Sequence, residues 1–191
     1  VNLGAVTFSA LALLAGYLVL FGWLAVTWHR FILLGDYPAA VPAFDGRVVG
    51  PYILQLIVLF AVLVGIGIVG GLILSVFSFL GVILMLALVV ILGIVYLRLA
   101  LTLPAVAVGA HLSLSEAWQR TKPFAATFVG IFFLLALLRI VMSLPGFLLA
   151  SIGLGIVGTG VDLMATWFTL MVGVGILTTL YGHIVEGRPL N

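Results

Sequence analysis

Gly65-Ile66-Gly67-Ile68-Val69-Gly70 and Gly153-Leu154-Gly155-Ile156-Val157-Gly158 both match Gly-x-Gly-x-x-Gly. In a dinucleotide site this spacing closes a strand-to-helix turn over a pyrophosphate, with an acidic side chain about 20 residues further on. The first match lies inside a long apolar run with no acidic residue near that offset, and the second has no βαβ unit around it. Both therefore read as packing elements. Gly67 and Gly71, four apart, share a helix face and let another backbone approach closely. Gly153, Gly155, Gly158 and Gly160 permit a bend or a close crossing.

Two charges fall at membrane depth, Arg139 and Asp162. Ionisable residues there are costly and mark candidate functional sites. In an antiparallel helix pair they would sit at similar depth and could form a salt bridge facing the bundle. The competing reading has each side chain snorkelling separately to nearby headgroups. An ion or proton relay would need more than one acidic group.

His29, His111, His183 and Glu186 could offer a metal or a quinone headgroup imidazole and carboxylate ligands. His183 and Glu186 are three apart and would share a face if the last helix continued through them. Nothing local brings the other histidines near, so polar residues in an interface is the plainer reading. No metal or cofactor site is expected. The chain has no cysteine, which removes disulfides, thiolate ligands and cysteine nucleophiles. Nor is any nucleophile–base pair, carboxylate pair or phosphate loop evident, and no enzymatic activity is expected.

These residues are carried by an unusually apolar chain. Of 191 residues 65% are hydrophobic and 6% charged, against about 25% charged in ordinary soluble domains. Lipid is the solvent that tolerates such a surface, and residues 1–191 read as a single transmembrane domain. A net charge of +2 is too small and too dispersed for nucleic-acid binding. Arginine outnumbers lysine six to one, a usage resembling that of GC-rich bacteria.

A membrane-spanning helix needs about 20 apolar residues. The first run extends from about Gly4 to Trp28, ending at His29-Arg30; a loop rich in turn residues and charge follows, from Gly35 to Arg47. The second runs from Pro51 to about Val76, the third from about Leu80 to Leu103, stopped by Pro104, and the fourth from about Phe124 to Ser143, stopped by Pro145-Gly146. The last apolar region is read as a short, partly inserted segment at 147–157 and a fifth span from about Gly160 to His183, or alternatively as one long tilted helix. The fold class expected is all-α: a polytopic transmembrane bundle with five spans here and six in the full gene product.

We label the end of the first span side A. Arg30, Arg47, Arg98, Arg120, Lys122 and Arg188 all fall towards it, whereas the side-B turns at Phe77-Ser78-Phe79 and Pro145-Gly146 carry no charge. Positively charged loops face the cytoplasm, so side A and the C-terminus are expected there. Trp23, Trp28, Trp118 and Tyr181 fall near the same interface, as an aromatic belt should. Five spans ending inside would place Val1 outside, hence the expectation of one further span upstream.

Ser113-x-x-Glu116 has capping-box spacing, and Leu114, Ala117 and Trp118 then share one face. Residues from Leu112 to Lys122 read as a short interfacial amphipathic helix with Trp118 as lipid anchor. The run Arg98-Leu99-Ala100-Leu101-Thr102-Leu103-Pro104-Ala105-Val106-Ala107-Val108, followed by Ser113-Leu114-Ser115-Glu116-Ala117-Trp118-Gln119-Arg120-Thr121, resembles an element of bacterial multi-span proteins. They include uncharacterised inner-membrane proteins and the membrane domain attached to some glycerophosphodiester phosphodiesterases. Trp28 to Gly35 and Tyr181-Gly182-His183 are similar to segments of the same proteins. The resemblance implies a six-span bundle in the bacterial inner membrane, without catalytic residues of its own. Asp36 and His111 depart from it, standing where a glutamate and a basic residue are expected.

The function expected is a structural or accessory subunit that packs against membrane lipids and other integral membrane proteins. The alternative is a small transporter or channel with a polar site near Arg139 and Asp162.

Overall fold

The computed structural model describes residues 3–38 and 41–189. The fold is an all-α bundle: α1 (Leu3–Leu34), α2 (Gly46–Leu74), α3 (Ser78–Leu99), α4 (Thr102–Ala107), α5 (Leu114–Arg120), a 3-10 turn (Lys122–Phe124), α6 (Ala125–Ser151) and α7 (Gly155–Ile184). Among the described residues five helical stretches are long and apolar enough to cross a bilayer, with α3 and α4 together making the third. In hydrocarbon no water can satisfy an exposed backbone group, so each apolar run closes its own hydrogen bonds as a helix.

The helices run further than proline punctuation predicts. Pro145 does not stop the fourth span; it lies inside α6, which continues to Ser151. An internal proline removes one backbone hydrogen bond, whereas ending the helix in lipid would strand four carbonyls. Continuing is the smaller loss. Pro104 likewise lies within α4, third from its start, where a missing N–H strands nothing. Pro51 is not the first residue of α2 either. Asp45 caps that helix from outside, accepting from the Arg47 N–H at 2.9 Å, so α2 starts five residues earlier, at Gly46.

Residues 147–157 form neither a half-inserted segment nor part of one long helix. Residues 147–151 finish α6, residues 152–154 turn, and α7 begins at Gly155. Gly153 makes the turn at φ +90°, with Leu154 N–H donating to Leu149 O at 3.0 Å. That left-handed conformation is open to glycine at little steric cost. α1 continues past His29-Arg30 to Leu34, where Gly35 at φ +71° closes it in the same way.

The core is confined to side A. Ala25, Val26, Tyr52, Leu103, Val174 and Leu177 belong to one buried cluster, and Leu33, Leu101, Ala105, Ala117, Phe128 and Tyr181 to a second. Towards side B the picture reverses, and every residue from Gly4 to Tyr17 is exposed. The close contact on that side joins α6 to α7. A Cβ built on Gly158 would lie 2.5 Å from the Gly146 carbonyl oxygen, so the two backbones touch.

Candidate functional site

A buried hydrogen-bonded chain crosses three helices. His29, on α1, is wholly buried, although its place beside Arg30 predicted an interfacial position. Its Nδ1 lies 2.7 Å from Thr178 Oγ1 on α7, and its Nε2 lies 3.3 Å from the Tyr52 hydroxyl on α2. Thr178 donates its own hydroxyl hydrogen to Val174 O at 2.7 Å, one turn back on α7. The Thr178 oxygen must therefore accept from His29, which puts the proton on Nδ1. Nε2 is then the acceptor, and Tyr52 donates to it. The order is Tyr52 O–H to His29, His29 N–H to Thr178, and Thr178 O–H to a carbonyl. In a nucleophile–base pair the hydroxyl would donate to the imidazole; here it accepts. The direction suits tying helices together.

One turn along α2, Gln55 Nε2 donates to Thr102 Oγ1 at 2.8 Å, joining α2 to α4. Tyr52 and Gln55 stand three apart and so share a face; one side of α2 is thereby bonded to α1, α7 and α4. A third tie holds α5. The Arg98 guanidinium lies 3.5 Å from the centre of the Trp118 ring, and its Nη2 donates to Trp118 O at 2.8 Å. Its Nε donates to Thr121 Oγ1 at 2.9 Å. Trp118 is half-buried under Arg98, and Trp28 is 43% exposed on α1.

Arg139 and Asp162 meet in a bidentate pair, with Nη1 and Nη2 donating to the carboxylate at 2.9–3.0 Å. Separate snorkelling is thereby replaced by mutual pairing. Because α6 runs on to Ser151, Arg139 stands twelve residues from its end (151 − 139), near the middle of the helix rather than close to side B. The side chains are about two-fifths exposed, 39% and 40%, so the pair sits at the rim of the α6–α7 seam.

The glycines divide by role. Gly67 faces Leu92 of α3, and Gly71 faces Met85; Gly70, between them, meets Leu88 more closely still. Gly158 packs on Gly146. Gly153 and Gly155 have open space where a Cβ would lie, so the first serves the turn and neither serves a helix contact.

The remaining polar residues stay apart. α7 ends at Ile184, so Glu186 does not share a helical face with His183; it pairs with Arg188 Nε at 2.6 Å, while His183 Nδ1–H donates to Arg188 O at 2.9 Å. His111 is exposed on the other connection. Among the described residues no three His, Cys, Asp or Glu side chains stand together in a way that could hold a metal.

Sequence reading missed the His29–Tyr52–Thr178 chain. Its available signal was a histidine placed within an apolar helical run, together with the three-residue spacing of Tyr52 and Gln55.

Two apolar spaces adjoin this region. A groove of about 400 Å3 opens between α1 and α2 and is walled by Leu14, Tyr17, Phe21, Leu56 and Phe60. A second pocket of about 190 Å3 adjoins it, lined by Tyr52, Tyr96, Leu103, Leu135, Thr169 and Leu177.

Fold and site together define a multi-pass α-helical membrane protein whose buried polar groups join helices. No family model, no curated protein and no solved structure matches the chain.

Proposed function

We propose that this chain is a non-enzymatic structural or accessory subunit of the bacterial inner membrane, packing against lipids and other integral membrane proteins. The observation that carries this reading is the contrast between the two ends of the bundle. At side A the buried polar groups described above are bonded between helices. Towards side B a continuous apolar stretch of α1, from Gly4 to Tyr17, lies uncovered. Unlike the other spans, this stretch is exposed on every face, which supports a neighbour outside the described chain, lipid or another membrane protein, against it. The ends of α1 and α2 that carry Arg30 and Arg47, with Arg120, Lys122 and Arg188, gather at side A, which supports a cytoplasmic C-terminus.

The transport reading has less support. Arg139 and Asp162 bond one another on the rim, and neither lines the groove or the pocket adjoining it.

Gentle detergent extraction of native membranes, followed by native gel and mass spectrometry, tests the proposal. Comigration with other membrane proteins at fixed stoichiometry is expected. A chain that runs alone or as a homo-oligomer defeats the accessory role and makes transport through the Arg139–Asp162 region the idea to test.

A further inference from the structure

Two tyrosines border the groove between α1 and α2: Tyr17 on α1 and Tyr96 on α3. Neither hydroxyl bonds another group of the protein. Among the described residues not open to the surroundings, the one enclosed side-chain nitrogen or oxygen without a partner is Trp23 Nε1. The Tyr96 oxygen is therefore not enclosed; it opens into the space that Tyr96 borders, the groove and the pocket adjoining it. The other hydroxyl hydrogens in that pocket are committed, Tyr52 to His29 and Thr169 to Ala165 O at 2.8 Å. The space thus offers two free donors, and no charged residue lines it.

Depth makes these donors unusual. Tyrosines in membrane proteins gather at the interfaces, where headgroups and water meet the hydroxyl. Tyr17 instead stands fourteen residues from the start of α1 and seventeen from its end (17 − 3, 34 − 17), about 21 Å or more from either. The α2 wall of the groove, Leu56 to Leu63, is likewise ten residues or more from both ends of its helix (56 − 46, 74 − 63). Phospholipid ester and phosphate oxygens lie outside a hydrocarbon core about 30 Å thick, and acyl tails carry no acceptor. Towards side A the groove is shut, because a Cβ on Gly22 of α1 would lie 3.0 Å from the Ile53 side chain of α2. A charged headgroup has no way in from that side and no counter-charge inside. What satisfies the two hydroxyls must be uncharged, soluble in the bilayer core and equipped with acceptors. The walls favour a flat ring: Tyr17 and Phe21 stack at 6.4 Å, and Phe60 faces the same space.

We infer that the groove binds a lipid-soluble quinone, whose two ring carbonyls accept from Tyr17 and Tyr96 while its apolar tail follows Leu56 to Leu63. Apolar walls with a few placed polar groups are the usual make-up of a small-molecule site. Binding alone is inferred, and it does not require the accessory role.

The test uses the full chain in vesicles of phosphatidylethanolamine and phosphatidylglycerol containing a prenylated naphthoquinone labelled with 13C at both carbonyls. Quinones quench indole fluorescence, and Trp167 lies against Tyr17 at 5.5 Å and Phe21 at 6.3 Å. Quenching that saturates as the quinone fraction of the lipid rises is expected, with the labelled carbonyl band in the infrared moved to lower frequency by hydrogen bonding. Tyr17→Phe and Tyr96→Phe should each raise the half-saturating fraction by about threefold to tenfold, the worth of one hydrogen bond, and return part of the band to its free position. Since neither hydroxyl bonds the protein, a merely structural role predicts no change in either variant. Ile57→Trp, which fills the groove from its exposed rim, should abolish saturation. Quenching that rises without saturating, as from quinone dissolved in bilayer, overturns the inference. So do Phe variants that bind and absorb like the unaltered chain, and so does a prenyl alcohol of the same tail length that displaces the quinone at equal fraction. None of these readouts depends on comigration in a native gel, so the accessory role stands or falls separately.

Discussion

Replacing His29 by leucine should unmask the direction of the buried chain. Leucine fills comparable space but removes both ring nitrogens. Thr178 loses the donor at 2.7 Å yet keeps its own bond to Val174 O, so it is left tolerably satisfied. Tyr52 fares worse. Its residue is 1% exposed and its hydroxyl loses the His29 acceptor. A buried hydroxyl left without a partner costs about 1–3 kcal/mol, and an interhelical hydrogen bond in a membrane bundle averages about 0.6 kcal/mol. The expected loss for His29→Leu is therefore about 2–3 kcal/mol. Tyr52→Phe alone removes the longer, 3.3 Å bond and leaves the buried His29 Nε2 without a donor, and should cost about 1–2 kcal/mol. In the His29→Leu background, Tyr52→Phe takes away the stranded hydroxyl and should restore about 1–2 kcal/mol. Reversible unfolding in bicelles, followed by steric trapping, gives the four stabilities of the cycle. Independent sites would add within about 0.5 kcal/mol. Additivity, or a double variant less stable than His29→Leu, would refute the assigned chain.

Three further outcomes are expected. Gly158→Ala places a methyl group against the Gly146 carbonyl and should destabilise by about 1–3 kcal/mol in the same assay, whereas Gly155→Ala, with open space, should stay within about 0.5 kcal/mol of the original; equal effects would remove the backbone contact from consideration. Arg139→Leu leaves the Asp162 carboxylate unpaired at membrane depth and should cost about 3 kcal/mol, while Arg139→Leu with Asp162→Leu should return near the starting stability; a double variant as weak as the single one would show that the pair orders the seam in some other way. On α5, hydrogen bonds from the Ser113 side chain and backbone hold the Glu116 carboxyl below its ordinary value. A carboxyl depressed in the folded state contributes stability above its unfolded value of 4.5, lost as pH falls through the folded one. Carboxyl NMR titration should find Glu116 low and Ser113→Ala moving it upward; a Glu116 midpoint at or above 4.5 in the unaltered protein contradicts the capping geometry.

Much of the architecture was readable because lipid imposes it. Five apolar runs became five spans, and Ser113 with Glu116 formed both halves of the predicted capping box. Gly67 and Gly71 lie on one face, towards α3, but meet the Leu92 and Met85 side chains at 3.5 and 3.7 Å rather than a closely approaching backbone. What misled was punctuation. Proline signals helix ends in water, where exposed carbonyls find new partners; at Pro145 they find fewer and α6 stays helical, whereas Pro104 sits in the first turn of the new helix α4, where its missing N–H strands nothing. The buried site was harder to see for a different reason. Helices that are apolar all round carry no stripe to mark the inward face. His29 therefore gave no sign of which way it pointed, and its partners, Tyr52 and Thr178, are 23 and 149 residues away. The Arg139–Asp162 pair was legible as one of two readings, but its depth was not, because that depended on where α6 ended.

Two kinds of fastening follow from the same solvent. Association in lipid gains little from burying apolar surface, so it relies on close backbone contact or on polar groups with no better partner. Around α2 the bundle uses the second means: Tyr52 and Gln55 bind it to α1, α7 and α4 through His29, Thr178 and Thr102. α6 and α7 use both, through Gly146 against Gly158 and Arg139 with Asp162. From Gly4 to Tyr17 α1 stays exposed, with the Tyr17 ring edge-on to Trp167 of α7 at 5.5 Å at its inner end. This half of the helix is held through its continuation into the His29 tie, by Tyr17 against Trp167, and by whatever lies against it in the membrane. Weakening the tie should therefore loosen α1 before the α6–α7 seam. Hydrogen exchange of His29→Leu in vesicles would show the order: faster exchange in α1 with α6 and α7 unchanged is expected, and uniform acceleration would mean that the two fastenings are one.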